Sequence, residues 1–231
     1  MDLAGMAVAF PIGVGLALVL GVITNYIGTP QGNPELLFAG VGCVTLAIVL
    51  TALAYKRIQT GENSNKLKGM ITAIIAGVIM GWFYRFVASS MALDFSHPAS
   101  GKLTPYTALV LFSLGVFLSN FVWNLLVMKK PISGKPVSGR AYFKGSRKEH
   151  GFGILGGVIW SVGMSFSILA SGVAGYAVSY GLGQGATMIA VIWGVFIWRE
   201  FSSAPKGTNK LLALVFAFYI LGIILIIAAN S

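Results

Sequence analysis

Gln184, Tyr180 and Thr187 bring a carboxamide, a phenol and a hydroxyl into one long apolar run, at spacings of four and three residues that set them on one helix face. An amide offers donors and an acceptor together, and an aromatic ring offers a surface on which a flat or ring-shaped solute can stack. The same chemistry recurs in three other apolar runs. Trp160, Ser161 and Ser165 lie centrally in residues 151–171; Asn120 and Asn124, at i and i+4, flank Trp123 and could present two amides to one pocket; Tyr84 precedes Arg85 in residues 69–91. Polar side chains inside apolar spans are costly unless they meet a partner or a cavity, so these ten residues are the candidates for contact with a neutral polar solute. The plainer reading of each is a hydrogen bond between helices, and of Arg85 a cation reaching for the membrane surface.

Catalysis needs a poised acid, base or nucleophile, and the sequence offers few. All six carboxylates, Asp2, Glu35, Glu62, Asp94, Glu149 and Glu200, fall at the ends of apolar runs or between them, as do His97 and His150. This argues against an enzyme and against a metal site built from spaced His and acidic ligands. Gly151, Gly153 and Gly156 spell GxGxxG, but no strand precedes them and no acidic residue follows at the required distance, so no dinucleotide fold is expected. No Walker-type phosphate loop occurs, and no cofactor is expected. The GxxxG pairs Gly153/Gly157, Gly77/Gly81 and Gly181/Gly185 are read as helix-packing sites, and Cys43, the single cysteine, as a small buried hydrophobe. Coupling to a proton or cation is left open, with Glu200 the one carboxylate placed at a mouth.

The elements that must position these groups follow from composition. Of 231 residues, 56% are hydrophobic and only 10% charged, and seven apolar runs, near 3–27, 35–55, 69–91, 106–128, 151–171, 175–198 and 210–229, are long enough to cross a bilayer. Their continuous apolar character, without strand-like alternation, predicts an all-α integral membrane protein of seven transmembrane helices in the plasma (inner) membrane. The net charge of +10 resides almost wholly in alternate loops: fourteen Lys and Arg follow the second, fourth and sixth runs, whereas Lys102 alone follows an odd one. That bias places the even loops and the amino terminus in the cytoplasm and the carboxyl terminus outside. Nucleic acid is excluded as a partner; the lipid bilayer is the surface that the cations face. The opening residues lack the pattern of a removable signal peptide.

The chain also repeats itself. Residues 4–15 match residues 174–185 at six of twelve positions, Ala4/Ala174, Gly5/Gly175, Ala7/Ala177, Val8/Val178, Gly13/Gly183 and Gly15/Gly185, and residues 36–50 match 211–225 more sparsely. Equivalent runs are five crossings apart, an odd number, so they must point in opposite directions, the inverted repeat of many secondary transporters. Pro11 and Gly181 occupy corresponding positions and are the candidate helix breaks. If the repeating unit has five helices, residues 1–55 are the last two helices of the first unit, 56–68 a cytoplasmic linker, and 69–231 a complete second unit with a cytoplasmic loop at 129–150. A chain beginning at an internal methionine, or a seven-helix protein acting as a homodimer, are the two expectations that follow.

GFGILGGVIWSVGMSFSILASGVAGYAVSYGLGQGATMIAVIWGVFIWREF, residues 151–201, resembles the closing helices of the ureide permease family, which is related to the glucose/ribose porters of the drug/metabolite transporter superfamily. AGMAVAFPIGVGLALVLGVITNYI, residues 4–27, is similar to their fourth helix, and LSNFVWNLLVMKKP, residues 118–131, to the end of their seventh. The resemblance implies helices four to ten of an inverted ten-helix fold and a permease for small polar metabolites such as sugars, ureides or nucleobase-like compounds. A midplane site would draw on the third to sixth spans. A non-transporting membrane scaffold or subunit, or a multidrug-type exporter, are the alternatives that the residues leave open.

Overall fold

The computed structural model describes residue 9 and residues 11–57, 64–132 and 134–230. Ala4, Gly5, Ala7 and Val8 of the repeat, and the carboxylates Asp2 and Glu62, lie outside the described residues. A π-helical turn at Pro11–Gly15 leads into α1 (Leu16–Gly28), followed by α2 (Pro34–Lys56), α3 (Ser64–Ser90), α4 (Pro105–Lys129), the short α5 (Arg140–Phe143), α6 (Arg147–Ala174), α7 (Tyr176–Gly183), α8 (Ala186–Ile192) and α9 (Thr208–Ala228). A second π-helical turn, Trp193–Ile197, ends α8. Among the described residues there is no strand, only an isolated bridge between Met91 and Leu103.

Six stretches are long and apolar enough to span a bilayer: Pro34–Ala54, Leu67–Ser90, Pro105–Lys129, Arg147–Ala174, Tyr176–Ile197 and Thr208–Ala228. They coincide with the second to seventh runs expected from sequence. The first appears as a shorter apolar helix, Ile12–Gly28. The protein is thus all-helical and integral to a membrane.

The chain forms two compact units, one of residues 1–89 and 170–231, the other Ser90–Leu169. In the first, α2 and α9 run antiparallel along their whole length. The Asn33 amide donates to the Ala229 carbonyl at 2.7 Å at one end, and Ala54 packs with Phe201 and Leu212 at the other. Between them Gly40 and Gly222 let the backbones nearly touch: a Cβ on either would stand 2.7–2.8 Å from the other's carbonyl oxygen. Helix α1 is antiparallel to α7 and α8, because Gln31 lies by Gly175, Gly21 by Tyr180, and the Pro11–Gly15 turn against α8. The first and sixth runs therefore point in opposite directions, as do the second and seventh.

Gly77 and Gly81 of α3 pack on Gly13, Leu16, Ala17 and Leu20, so this GxxxG pair is a helix contact as expected. Gly181 receives Val22 and Ile226, whereas the nearest atom to a Cβ on Gly185 is the carbonyl of Leu182, in its own segment. Gly153 and Gly157 differ from expectation, since nothing lies within 4 Å of a Cβ built on either. Their small size opens space that no described residue fills. Gly175 has φ of 75°, a left-handed conformation costly for any other residue, and it separates α6 from α7.

In the second unit, Thr104 caps α4 by accepting from the Thr107 amide at 3.3 Å, with Pro105 at the first turn. The loop before it closes through Leu103 N to the Ser90 carbonyl and Ala92 N to that of Leu103. The amides of Ser96 and His97 donate to Asp94 and hold its carboxyl below the usual range. Phe112 and Trp160 lie with ring centroids 6.1 Å apart, joining α4 to α6.

Candidate functional site

Two irregular helical segments lie in the first unit. The π-helical Pro11–Gly15 runs directly into α1 and packs against α8, and α7 gives way to α8 at a turn over Gln184 and Gly185. These segments are equivalent under the 170-residue offset of the repeat. Gly181, the sequence candidate for the second break, is itself helical, and the interruption falls three residues later. At the turn the amides of Gln184, Gly185, Thr187 and Met188 donate to the carbonyls of Tyr180, Leu182, Gln184 and Gly185, so the chain bends while these amides stay hydrogen-bonded.

Gln184 sits at its interruption with 9% of its surface exposed, and its side-chain amide makes no hydrogen bond among the described residues. Thr187 is fully buried and turns its hydroxyl back to the Gln184 carbonyl at 2.7 Å, which braces the turn. Tyr219 of α9 points its hydroxyl at Gly15, where a Cβ would stand 3.0 Å from the oxygen, and that hydroxyl has no partner among the described residues. Sequence reasoning passed over Tyr219, because a lone tyrosine in an apolar run reads as core.

Toward one end of the same unit lies an aromatic group. Tyr180 covers Gly21, donates its hydroxyl to the Met80 carbonyl at 3.0 Å, and has its ring 5.0 Å from that of Tyr84. Arg85 is half-buried, with its guanidinium packed on Gly28 at the carboxyl end of α1, where the helix dipole favours a cation. Asn25 lies between these contacts, wholly buried; its amide nitrogen donates to the Gly21 carbonyl at 2.8 Å, while its side-chain oxygen has no partner among the described residues. Asn25 was also missed from sequence, although an amide within LGVITNYIG carries the same signal as Gln184.

The remaining five candidates belong to the second unit. Asn124 donates to the Asn120 side chain at 2.8 Å and Asn120 to the Val116 carbonyl at 2.7 Å, so the two amides are joined along α4, both exposed. Ser165 donates to the Ser161 carbonyl at 2.7 Å, within its own helix, and Trp160 is 49% exposed. The ten candidates thus divide equally: Tyr84, Arg85, Tyr180, Gln184 and Thr187 in one unit, Asn120, Asn124, Trp160, Ser161 and Ser165 in the other. A separate recess of about 600 Å³ lies between the end of α8 and the start of α9, lined by residues that include Phe196, Arg199, Asn209 and Phe216, next in sequence to Glu200.

Equivalent helices that run antiparallel around buried polar groups are the arrangement that inverted-repeat membrane transporters use. The ureide permease family model matches residues 50–229. Similar proteins include ureide permease 4 of Arabidopsis thaliana, 20% identical over 98% of this chain and 72% of the relative, and ureide permease 5 of the same plant, 24% identical over 97% and 69%. Glucose uptake protein GlcU of Bacillus subtilis strain 168 is 27% identical over 99% and 69%. No solved structure matches. The chain belongs to the ureide permease family of membrane transporters.

Proposed function

We propose that the chain is a permease, not an enzyme, that moves a small neutral solute by alternating access about the interrupted helices. The single observation that supports this most is the antiparallel packing of α1 and its π-helical start against α7 and α8, whose junction falls at Gln184–Gly185. The solute is of the kind that the relatives' names indicate, a ureide or a sugar. Gln184 supplies donors and an acceptor, Tyr180 and Tyr84 supply ring surfaces, and Thr187 holds the turn in shape. Arg85 is proposed as a further contact in the first unit, and Trp160, Ser161, Ser165, Asn120 and Asn124 as solute contacts within the second unit taken by itself.

The loops after the second, fourth and sixth runs face the cytoplasm, on the strength of their fourteen cations. Residues 1–55 act as two helices of one repeat and 69–231 as the other, joined by the 56–68 linker.

Uptake of labelled solutes into proteoliposomes tests this. Gln184→Ala is expected to lower uptake at subsaturating solute about tenfold, the worth of one or two hydrogen bonds. Unchanged uptake in that variant removes Gln184 from the site. An intact wild-type protein that moves no ureide or sugar supports a scaffold role instead.

A further inference from the structure

Tyr219 is the twelfth of the 21 residues of α9, so it lies at mid-depth of a helix long enough to cross a bilayer. It is 1% exposed, and its hydroxyl has no hydrogen-bond partner among the described residues. Tyr180, equally buried, donates to the Met80 carbonyl. A buried polar group left unpaired is destabilising, and phenylalanine would fill the same volume without that cost. Packing alone therefore gives no reason for the oxygen.

Its surroundings give one. The hydroxyl faces Gly15, the last residue of the π-helical segment, and Ile223, one turn further along the same face of α9, reaches toward Gly185 at the α7–α8 turn. Gly15 and Gly185 are matched positions of the repeat. One face of α9 thus looks onto both irregular segments, and Ile48 closes the other side of Gly15. The groups described at these segments are a phenol, the Gln184 amide and apolar side chains, none of them charged.

We infer that Tyr219 is a solute-contacting residue, its hydroxyl bonding a carbonyl or hydroxyl group of a neutral solute when the helices part at Gly15. This rests on the transport reading above and adds a residue to that site. The absence of a side chain at Gly15 leaves the buried oxygen room, since a methyl there would press on Ile48 at 2.8 Å and on the oxygen at 3.0 Å. A neutral partner fits because a hydroxyl and an amide can each both give and accept hydrogen bonds.

The test compares wild type, Tyr219→Phe, Gly15→Ala and Gln184→Ala in proteoliposomes with glucose, uracil and hydantoin, a cyclic ureide, alongside thermal melting in detergent. Tyr219→Phe is expected to melt at the same or a higher temperature and to raise KM roughly threefold to tenfold, the effect of one neutral hydrogen bond. Gly15→Ala, which sets a methyl against the same oxygen, is expected to raise KM in the same direction. A folded Tyr219→Phe protein with KM within about twofold of wild type overturns the inference, as does an unchanged KM in Gly15→Ala. If Gln184→Ala loses uptake while both other variants keep it, Tyr219 is excluded and the transport reading stands. If the wild type moves none of the three solutes, that reading falls and the role of Tyr219 with it.

Discussion

The aromatic group around Tyr180 shows how little tolerance the first unit has at single positions. A methyl on Gly21 would overlap the Tyr180 ring, and one on Gly28 would overlap the Arg85 guanidinium. Gly21→Ala must push the ring aside and break its hydrogen bond to the Met80 carbonyl. The expected loss is about 1–3 kcal/mol from overpacking, read as a lower melting midpoint in detergent, whereas Tyr180→Phe, which deletes only the hydroxyl, should lose about 1 kcal/mol. Residues of this kind were only half legible in the sequence. Gln184 and Thr187 stand out as polar groups amid apolar ones, but the state of a side chain's second lone pair cannot be read from spacing. Asn25 and Tyr219 are set apart by what they fail to touch, which is a property of packing.

At the scale of elements, the apolar runs translate directly into helices because each is continuous and bounded by loops rich in Gly, Pro or charge. The interruption in the sixth run was legible only as a region. Glycines at 181, 183 and 185 all permit it, and α7 persists to Gly183 because Gly181 is sheltered by Val22 and Ile226. The GxxxG pairs look alike in sequence yet differ in space, since a small residue permits close approach without supplying the neighbour. That difference can be measured. Gly222→Ala places a methyl 2.8 Å from the Gly40 carbonyl and should force α2 and α9 apart, with a fall in melting midpoint; Gly157→Ala meets open space and should change stability by no more than about 0.5 kcal/mol. Equal effects of the two substitutions would refute the packing assigned to the α2–α9 pair.

For the whole molecule, membrane integration and helical class follow from hydropathy alone, because lipid leaves a spanning chain few ways to satisfy its backbone. Family membership follows from the longer pattern of residues 50–229. The proposed orientation turns the cations into a direct probe, since trypsin cleaves after Lys and Arg. In inside-out vesicles, cleavage is expected within residues 129–148, which hold seven of these cations; in right-side-out vesicles that segment should be spared, leaving Lys102 as the accessible site. The reverse pattern would invert the topology.

Cys43, the chain's single cysteine, lies half-buried on α2, three residues past Gly40 and next to Val44, whose side chain packs against Gly222. One sulfhydryl thus stands beside the α2–α9 seam. A nitroxide or trifluoromethyl tag on that atom would give a single spectroscopic signal from the unmutated polypeptide, and its line shape would report whether the seam stays closed when solute is added.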